Sequence, residues 1–176
     1  MVLGTAHGQC KLIVIALEED FKRLYQENYS RIIRLCLGYV SGDMEMAKDV
    51  TQEIFIKVWH NLGSFRKESN INTWIYRIAV NTCLMNLRKA KNKRLAGAGL
   101  EDSLESRETN MLKERQFQEM YRCINTLGAT NKAIILMELE GMPQKEIAEV
   151  MGLKHEAIRT RIHRIKNELI KCVNHE

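Results

Sequence analysis

The fold of the C-terminal part of this chain is decided by GMPQKEIAEVMGLKHEAIRTRIHRIKNELIK, from Gly141 to Lys171. Ile147, Ala148 and Met151 recur at helical spacing and predict one short amphipathic helix. Gly152 follows and can adopt the positive φ that a tight turn needs. The second helix has its own apolar stripe, which consists of Ile158, Ile162, Ile165 and Leu169. Two helices joined by a glycine turn can place the second helix in the major groove of DNA.

The side of this second helix opposite its apolar stripe predicts a DNA-reading surface. At about 100° per residue, this side collects Glu156, Arg159, Thr160, His163 and Arg164. Arginine can bond to both acceptors of guanine, and a carboxylate can accept a hydrogen bond from cytosine. Phosphate contacts are predicted for the flanking residues Lys154, His155, Arg161 and Lys166. A solvated basic face on an ordinary amphipathic helix is the alternative interpretation.

Composition favours an all-α protein. The chain has 176 residues, 45% of them hydrophobic, with ten Gly and one Pro. Long stretches show helical periodicity, and the alternating patterns and turn clusters typical of strands do not occur. The net charge is +5, and the basic excess lies in the first half of the chain and on the second helix described above. This distribution favours two separate contacts with polyanions.

The cysteines predict reduced thiols in a cytoplasmic protein without a metal site. They are far apart, form no CxxC pair and have no histidine at ligand spacing: Cys10, Cys36, Cys83, Cys123 and Cys172. This pattern argues against both a zinc site and a disulfide framework. No apolar segment has the length of a membrane span, and the apolar run after Lys11 matches a signal peptide only superficially.

A helix predicted over residues 48–62 carries a candidate protein-docking surface. Val50, Ile54 and Val58 form its core face at four-residue spacing. Its outward side holds Asp49, Gln52, Glu53 and Ile56, with Trp59 at the edge. An exposed isoleucine and tryptophan among carboxylates favour a protein partner over a nucleic acid. The alternative, that Ile56 and Trp59 pack on a neighbouring helix, stays open on the sequence alone.

The next helix follows a polar loop, FRKESN, and is predicted to open at Asn72 or Thr73. One stripe of this helix combines aromatic, polar and basic residues: Trp74, Arg77, Asn81, Met85 and Arg88. Such a stripe beside a polar loop suits contact with single-stranded or distorted DNA, where a base can be held by stacking. Burial of Trp74 in a core is the alternative.

Composition also divides the chain into two small helical domains. Residues 95–111 shift abruptly to Gly, Ala, Ser and acidic residues, which predicts a flexible linker. We therefore predict one domain over 17–94 and a second, which contains the helix-turn-helix, over 112–173. Residues 1–16 fit neither domain.

Taken together, the two halves resemble one family. DVTQEIFIKVWHNLGSFRKESNINTWIYRIAVNTCLMNLRK is similar to region 2 of the extracytoplasmic-function (ECF) subfamily of sigma-70 factors. INTLGATNKAIILMELEGMPQKEIAEVMGLKHEAIRTRIHRIKNEL is similar to region 4. The resemblance covers about 17–91 and 112–171, in the family's order. The chain departs from the family pattern at Gly128, Pro143, Ile71 and Asn72, which lie at helix starts and beside the polar loop.

This resemblance implies an alternative sigma factor that binds core RNA polymerase and directs promoter recognition and transcription initiation. The residues that the resemblance implies for docking on the beta-prime coiled coil are Asp49, Gln52, Glu53 and Ile56. Contacts with the minus-10 element fall to Arg66, Lys67, Ser69, Asn70, Asn72, Trp74, Arg77, Asn81 and Arg88. Contacts with the minus-35 element fall to Lys154, His155, Glu156, Arg159, Thr160, His163 and Arg164.

The implied partners are the beta-prime and beta subunits of core polymerase, promoter DNA and an anti-sigma factor. No catalytic residue, metal or cofactor is predicted, because the sequence contains no nucleophile-base pair, metal-ligand cluster or phosphate loop. Two other classes of protein remain as rivals. One is a stand-alone helix-turn-helix regulator that binds duplex DNA without polymerase, and the other is an interaction protein that sequesters a regulator.

Overall fold

The computed structural model describes residues 5–95 and 111–174, and in these ranges every regular element is an α-helix. This confirms the all-α prediction. The helices are α1 (Thr5–Tyr39), α2 (Met44–Leu62), α3 (Ile71–Leu95), α4 (Met111–Thr126), α5 (Ala129–Leu139), α6 (Gln144–Met151) and α7 (His155–Asn174). The linker predicted at 95–111 lies almost wholly outside the described residues.

Helices α1 to α3 share one core. Val50, Ile54 and Val58 are buried on α2, as their spacing predicts. An aromatic cluster fills the gap between α1 and α2, where the Tyr25 and Phe55 ring centroids lie 4.6 Å apart. Trp59 packs its ring against Phe21 with the centroids 5.1 Å apart. Trp59 therefore packs partly on the neighbouring helix, as the alternative interpretation has it, and it remains 38% exposed.

Local capping explains where the helices of this first domain begin. Asp43 caps α2, and its carboxylate accepts a hydrogen bond from the Met46 amide at 3.0 Å. Helix α3 begins at Ile71, slightly before the predicted start. The reason is Asn70, whose side-chain oxygen accepts a hydrogen bond from the Asn72 amide at 2.9 Å and so caps the helix one or two residues earlier than predicted.

Helices α6 and α7 form the predicted helix-turn-helix. Gly152 joins them with φ 64°, and its amide bonds to the Ala148 and Glu149 carbonyls. The apolar stripes meet in the core of the domain, where Ile147 and Ile158 are fully buried. The charged side of α7 consequently faces outward.

The prediction of unpaired thiols is wrong for two of the cysteines. Cys123 of α4 and Cys172 of α7 form a disulfide, although they are 49 residues apart in the chain. Spacing along the chain did not reveal this disulfide, because the two cysteines are brought together by the packing of α4 against α7. Cys36 and Cys83 remain thiols, buried between α1 and α3 with their sulfurs 3.9 Å apart.

The two domains also contact each other directly. Helix α1 packs against α5 and α4, and α3 packs against α6. Gly38 of α1 faces Leu136 of α5. These contacts bring part of the helix-turn-helix beside the polar loop of the first domain.

Candidate nucleic-acid and protein interfaces

The predicted docking face, Asp49, Gln52, Glu53 and Ile56, lies on the outer side of α2. Asp49 and Gln52 are exposed, and Ile56 exposes 49% of its surface. Val50, Ile54 and Val58 hold the helix in place from the opposite side. The face therefore joins polar groups to an exposed apolar side chain, which is a composition suited to a protein partner.

Glu53 differs from the rest of the docking face because its carboxylate is already bonded within the domain. Lys57 donates to one oxygen at 2.7 Å, and Asn86 of α3 donates to the other at 3.0 Å. These two hydrogen bonds lower the pKa of Glu53 from its usual value. Glu53 thus ties α2 to α3 as well as facing outward, a role that the sequence did not predict.

The polar loop between α2 and α3 carries the first part of the predicted minus-10 residues. Arg66, Lys67 and Asn70 are exposed, and Ser69 is half-buried. Lys67 has φ 57°, so the loop makes a sharp turn at this residue. Phe65 packs against Trp74 with the ring centroids 5.1 Å apart, which fixes the loop to α3. Trp74 is half-buried by this contact.

The α3 residues of the predicted set divide into two groups. Arg77, Asn81 and Arg88 are exposed along one stripe, as predicted. Asn72 is half-buried and turned toward α1, where its side-chain oxygen accepts a hydrogen bond from Asn28 at 3.3 Å. The structure therefore brings the loop and Arg77 together at one crevice, while the Asn72 side chain is bonded within the helix bundle.

The predicted reading face of α7 is fully displayed: Glu156, Arg159, Thr160, His163 and Arg164 are all exposed. A shallow crevice runs beside it, lined by Glu156, Thr160, Arg161 and Arg164 together with Asn131 of α5. Thr160 donates its hydroxyl proton to the Glu156 carbonyl at 2.9 Å, which leaves its methyl group and its oxygen for an outside contact. Lys154 is exposed and His155 half-buried at the start of the helix.

Comparison with known proteins identifies the family of the chain that carries these surfaces. The profile of sigma-70 region 2 matches residues 24–93, and that of sigma-70 region 4 matches residues 117–169. The ECF RNA polymerase sigma-E factor of Escherichia coli (strain K12) is 33% identical over 167 residues, with 86% of this chain and 85% of the relative covered. The chain belongs to the ECF subfamily of sigma-70 factors.

Two further proteins are similar to the sigma factor over most of its length. The RNA polymerase sigma-H factor of Pseudomonas aeruginosa is 32% identical, covering 87% of this chain and 86% of the relative. Among solved structures, the sigma factor RpoE of Bartonella quintana, in complex with the anti-sigma factor NepR, matches with TM-score 0.73 and 21% identity. That match covers 88% of this chain and 97% of the other. It shows the same fold. The protein is an alternative sigma factor that directs transcription initiation.

The contacts of two lysines of the sigma factor were not predicted from the sequence. Lys166, predicted as a phosphate contact, donates to Glu138 of α5 at 2.8 Å. Lys132 of α5 is buried between the two domains, although lysine is rarely buried. Helical periodicity could not identify the partner of either lysine, because each contact joins two different helices.

Residues 5–95 and 111–174 contain no cluster of His, Cys, Asp or Glu that could hold a metal ion. None of the helices in these ranges is both long and apolar enough to cross a membrane.

Proposed function

We propose that this sigma factor holds core RNA polymerase through the docking face, reads the minus-35 element with α7 and captures the minus-10 element with the polar loop and α3. The observation that carries the proposal is the exposed reading face of α7. Its charged residues point away from a stripe whose members Ile158, Ile162 and Ile165 are almost fully buried. That arrangement leaves the face free for the major groove.

The reading face has side chains suited to base edges. The Arg159 and Arg164 guanidinium groups can each donate two hydrogen bonds to guanine O6 and N7. Glu156 can accept a hydrogen bond from cytosine N4, and the Thr160 methyl group can contact thymine. Lys154 and His155 stand where the helix enters the groove and suit backbone phosphates.

The minus-10 role rests on the loop and on the exposed stripe of α3. Arg66 and Lys67 are cations on an exposed loop and suit the phosphates of a separated strand. Arg77, Asn81 and Arg88 continue this positive and polar surface along α3. Holding an unstacked base costs a few kcal/mol, which contacts in this region offset. Because Trp74 is half-buried against Phe65, we propose that it supports the loop.

The proposal for the docking face is a contact with the beta-prime coiled coil. Ile56 supplies an exposed apolar group, and Gln52 and Asp49 supply polar groups one and two turns before it. A rigid helix of the partner would bury Ile56 at the centre and leave the polar groups at the rim.

We assign the chain no catalytic residue and no cofactor, and we place its activity in the cytoplasm beside core polymerase and promoter DNA. An anti-sigma factor is a further proposed partner. RpoE was solved with the anti-sigma factor NepR and CnrH with the cytosolic domain of CnrY, and both share this fold. CnrH matches with TM-score 0.67 and 20% identity, and the match covers 90% of each chain.

Co-purification with core polymerase tests the proposal. The purified chain is mixed with Escherichia coli core enzyme, and the mixture is separated by size-exclusion chromatography. We expect the chain to elute with the core enzyme, and the holoenzyme to enrich a bipartite promoter from a random DNA library. Elution apart from core, with selection of a palindromic duplex by the chain alone, would support the stand-alone regulator instead.

A further inference from the structure

Lys166, on the flank of the reading helix α7, is bonded to a carboxylate of its own domain. Its ammonium donates to Glu138 Oε1 of α5 at 2.8 Å. Lys166 follows His163 of the reading face by three residues, so the two side chains lie on adjacent turns of the helix. A cation beside the reading face suits the DNA backbone that borders the groove, as the sequence predicts. The structure gives this cation a partner within the protein instead.

Glu138 is held at the point where α5, α6 and α7 meet. Its side chain is 17% exposed, and its Oε2 accepts a long hydrogen bond, at 3.5 Å, from Gln144 at the start of α6. The two preceding residues of α5, Leu136 and Met137, are buried in the core. The carboxylate therefore has a fixed place beside α7, and the Lys166 side chain, which is 53% exposed, extends to it.

The surroundings of Glu138 strengthen its attraction for Lys166. Ion pairs between two fully exposed side chains contribute little to stability, because water and salt screen them. The Glu138 side chain is shielded from solvent on most of its surface, so its charge is screened less than that of an open carboxylate. We therefore expect a stronger attraction here than in the pair between Lys48 and Glu45, in which the Glu45 side chain is 83% exposed.

Arg161, a second flanking cation of α7, contacts α5 in a different way. It donates through Nη1 to the side-chain oxygen of Asn131 at 3.5 Å, which is a long contact with a neutral group. An amide oxygen carries no ionic charge, so Arg161 keeps its full charge for a phosphate. Helix α5 therefore places a carboxylate against Lys166 and only an amide against Arg161.

A cation that reaches a phosphate adds affinity that is the same for every DNA sequence. The logarithm of the binding constant for duplex DNA falls with the logarithm of the salt concentration, with a slope of about 0.9 per phosphate contact. A contact between Lys166 and a phosphate would thus strengthen binding to promoter and non-promoter duplex alike. The salt slope counts such contacts, so it reports whether Lys166 makes one.

We propose that Glu138 withholds Lys166 from the DNA backbone and thereby limits the sequence-independent affinity of the reading helix. Glu138 is a positioning residue in this role, because it acts on DNA binding only through Lys166. The proposal rests on the proposed minus-35 role of α7. Its consequence for the sigma factor is weaker retention on the many non-promoter sites of a genome, which leaves more of the chain free to bind core polymerase.

Two substitutions separate the charge of Glu138 from the charge of Lys166. Glu138→Gln keeps the size of the side chain and removes its charge, and Lys166→Met keeps an apolar chain and removes the ammonium. A double variant combines both changes. Glu27→Gln is the matched control for net charge, since it removes one carboxylate from an exposed position on α1. Lys154→Met is the positive control, because Lys154 is an exposed flanking cation with a proposed phosphate contact.

Fluorescence anisotropy measures the binding of each full-length chain to a labelled duplex at several salt concentrations. One duplex carries the minus-35 element of a promoter enriched by the wild-type holoenzyme, and the other has the same length and a scrambled sequence. We expect Glu138→Gln to steepen the salt slope by about 0.9 on both duplexes, and Lys154→Met to make it shallower by about 0.9. The double variant and Glu27→Gln should have the slope of wild type, and Lys166→Met should change the slope less than Lys154→Met does.

A slope for Lys166→Met as shallow as that for Lys154→Met would overturn the proposal, because Lys166 would then contact a phosphate in spite of Glu138. The same holds if Glu138→Gln resembles Glu27→Gln, or if its steeper slope persists in the double variant, since Glu138 would then repel DNA directly. Circular dichroism confirms that each variant retains its helices. Failure of the proposed minus-35 role has a different signature, because wild type would then bind the minus-35 duplex no more tightly than the scrambled one.

Discussion

Arg164 lies on the exposed side of α7, in the crevice that Thr160 and Asn131 also line. Arg164→Ala should weaken binding to minus-35 duplex by about 1–3 kcal/mol, because a bidentate contact to guanine would be lost. The affinity is measured by fluorescence anisotropy at fixed salt, with wild-type protein alongside. Specificity should also relax at one base pair of the element.

Lys171→Ala is the control for Arg164→Ala. It removes the same charge from an exposed position in the last turn of α7, outside the reading face. If both variants lose equal affinity and neither changes base preference, Arg164 contributes only general electrostatic attraction.

A second prediction at the residue scale concerns how the contribution of Lys132 to stability depends on pH. Burial lowers the pKa of Lys132 from 10.5 to about 8. Between those pH values the unfolded chain binds more protons at this position, so its contribution to the free energy of unfolding rises with pH, by up to about 1.4 kcal/mol per pH unit. Below about pH 8 this contribution no longer changes.

Comparison with Lys132→Met isolates that contribution from the other titrating groups. Urea unfolding of both proteins is measured at several pH values across the window. The free energy of unfolding of wild type minus that of the variant should increase with pH. A difference that is constant or falls would show that the Lys132 ammonium is not desolvated by the domain contact.

At the level of single elements, α2 carries the prediction for polymerase docking. Ile56→Asp should lower affinity for core polymerase at least about tenfold, because a charge would replace the apolar centre of the docking face. The helical content should be retained, since Ile56 is 49% exposed. Binding is measured by biolayer interferometry with immobilised core enzyme.

Met46→Asp provides the matched control on the same helix. Met46 is 52% exposed in the first turn of α2, where an added carboxylate is favourable to the helix dipole. Equal loss of affinity in both variants would indicate a general charge effect, and full affinity in Ile56→Asp would place the docking face elsewhere.

The disulfide between α4 and α7 predicts a redox-dependent stability of the second domain. Reduction should lower the free energy of unfolding by about 2–4 kcal/mol, because the cross-link closes a loop in the unfolded chain. Thermal unfolding with and without dithiothreitol measures this effect. The double variant Cys123→Ser, Cys172→Ser should be unaffected by the reductant, and equal responses of variant and wild type would contradict the prediction.

Elements were predictable from the sequence where their determinants are local. The stripe of Ile158, Ile162 and Ile165 and the Gly152 turn depend on neighbours within one or two turns, and the structure confirms both. The start of α3 differs from the prediction because the Asn70 side chain caps the helix by accepting a hydrogen bond from the Asn72 amide. These features cover both helical domains and the exposed sides of α2 and α7.

Contacts between elements could not be predicted in the same way. Arg34 and Glu140 are 106 residues apart, and Cys123 and Cys172 are 49 apart, so no periodic pattern relates them. Glu53 and Asn72 lie at positions whose spacing indicates exposure, yet both make hydrogen bonds to another helix. Helical periodicity predicts on which side of its helix a residue lies. The identity of its partner depends on the tertiary arrangement.

On the scale of the whole molecule, we propose that the two domains divide the work of promoter recognition between them. In this proposal the first carries the docking face and the minus-10 surface, and the second carries the reading face. Arg34 bonds to Glu140 and Arg77 bonds to the Glu149 carbonyl, so side chains of the first domain also contact the second domain directly.

The central claim is that this chain gives core polymerase its promoter specificity, and reconstituted transcription tests it most directly. Purified chain, Escherichia coli core enzyme, nucleotides and the enriched promoter are combined, and the RNA start site is mapped. We predict a defined transcript that requires both chain and core and disappears when either promoter element is scrambled. Transcription that is equal with and without the chain, on intact and scrambled promoters alike, would contradict the claim.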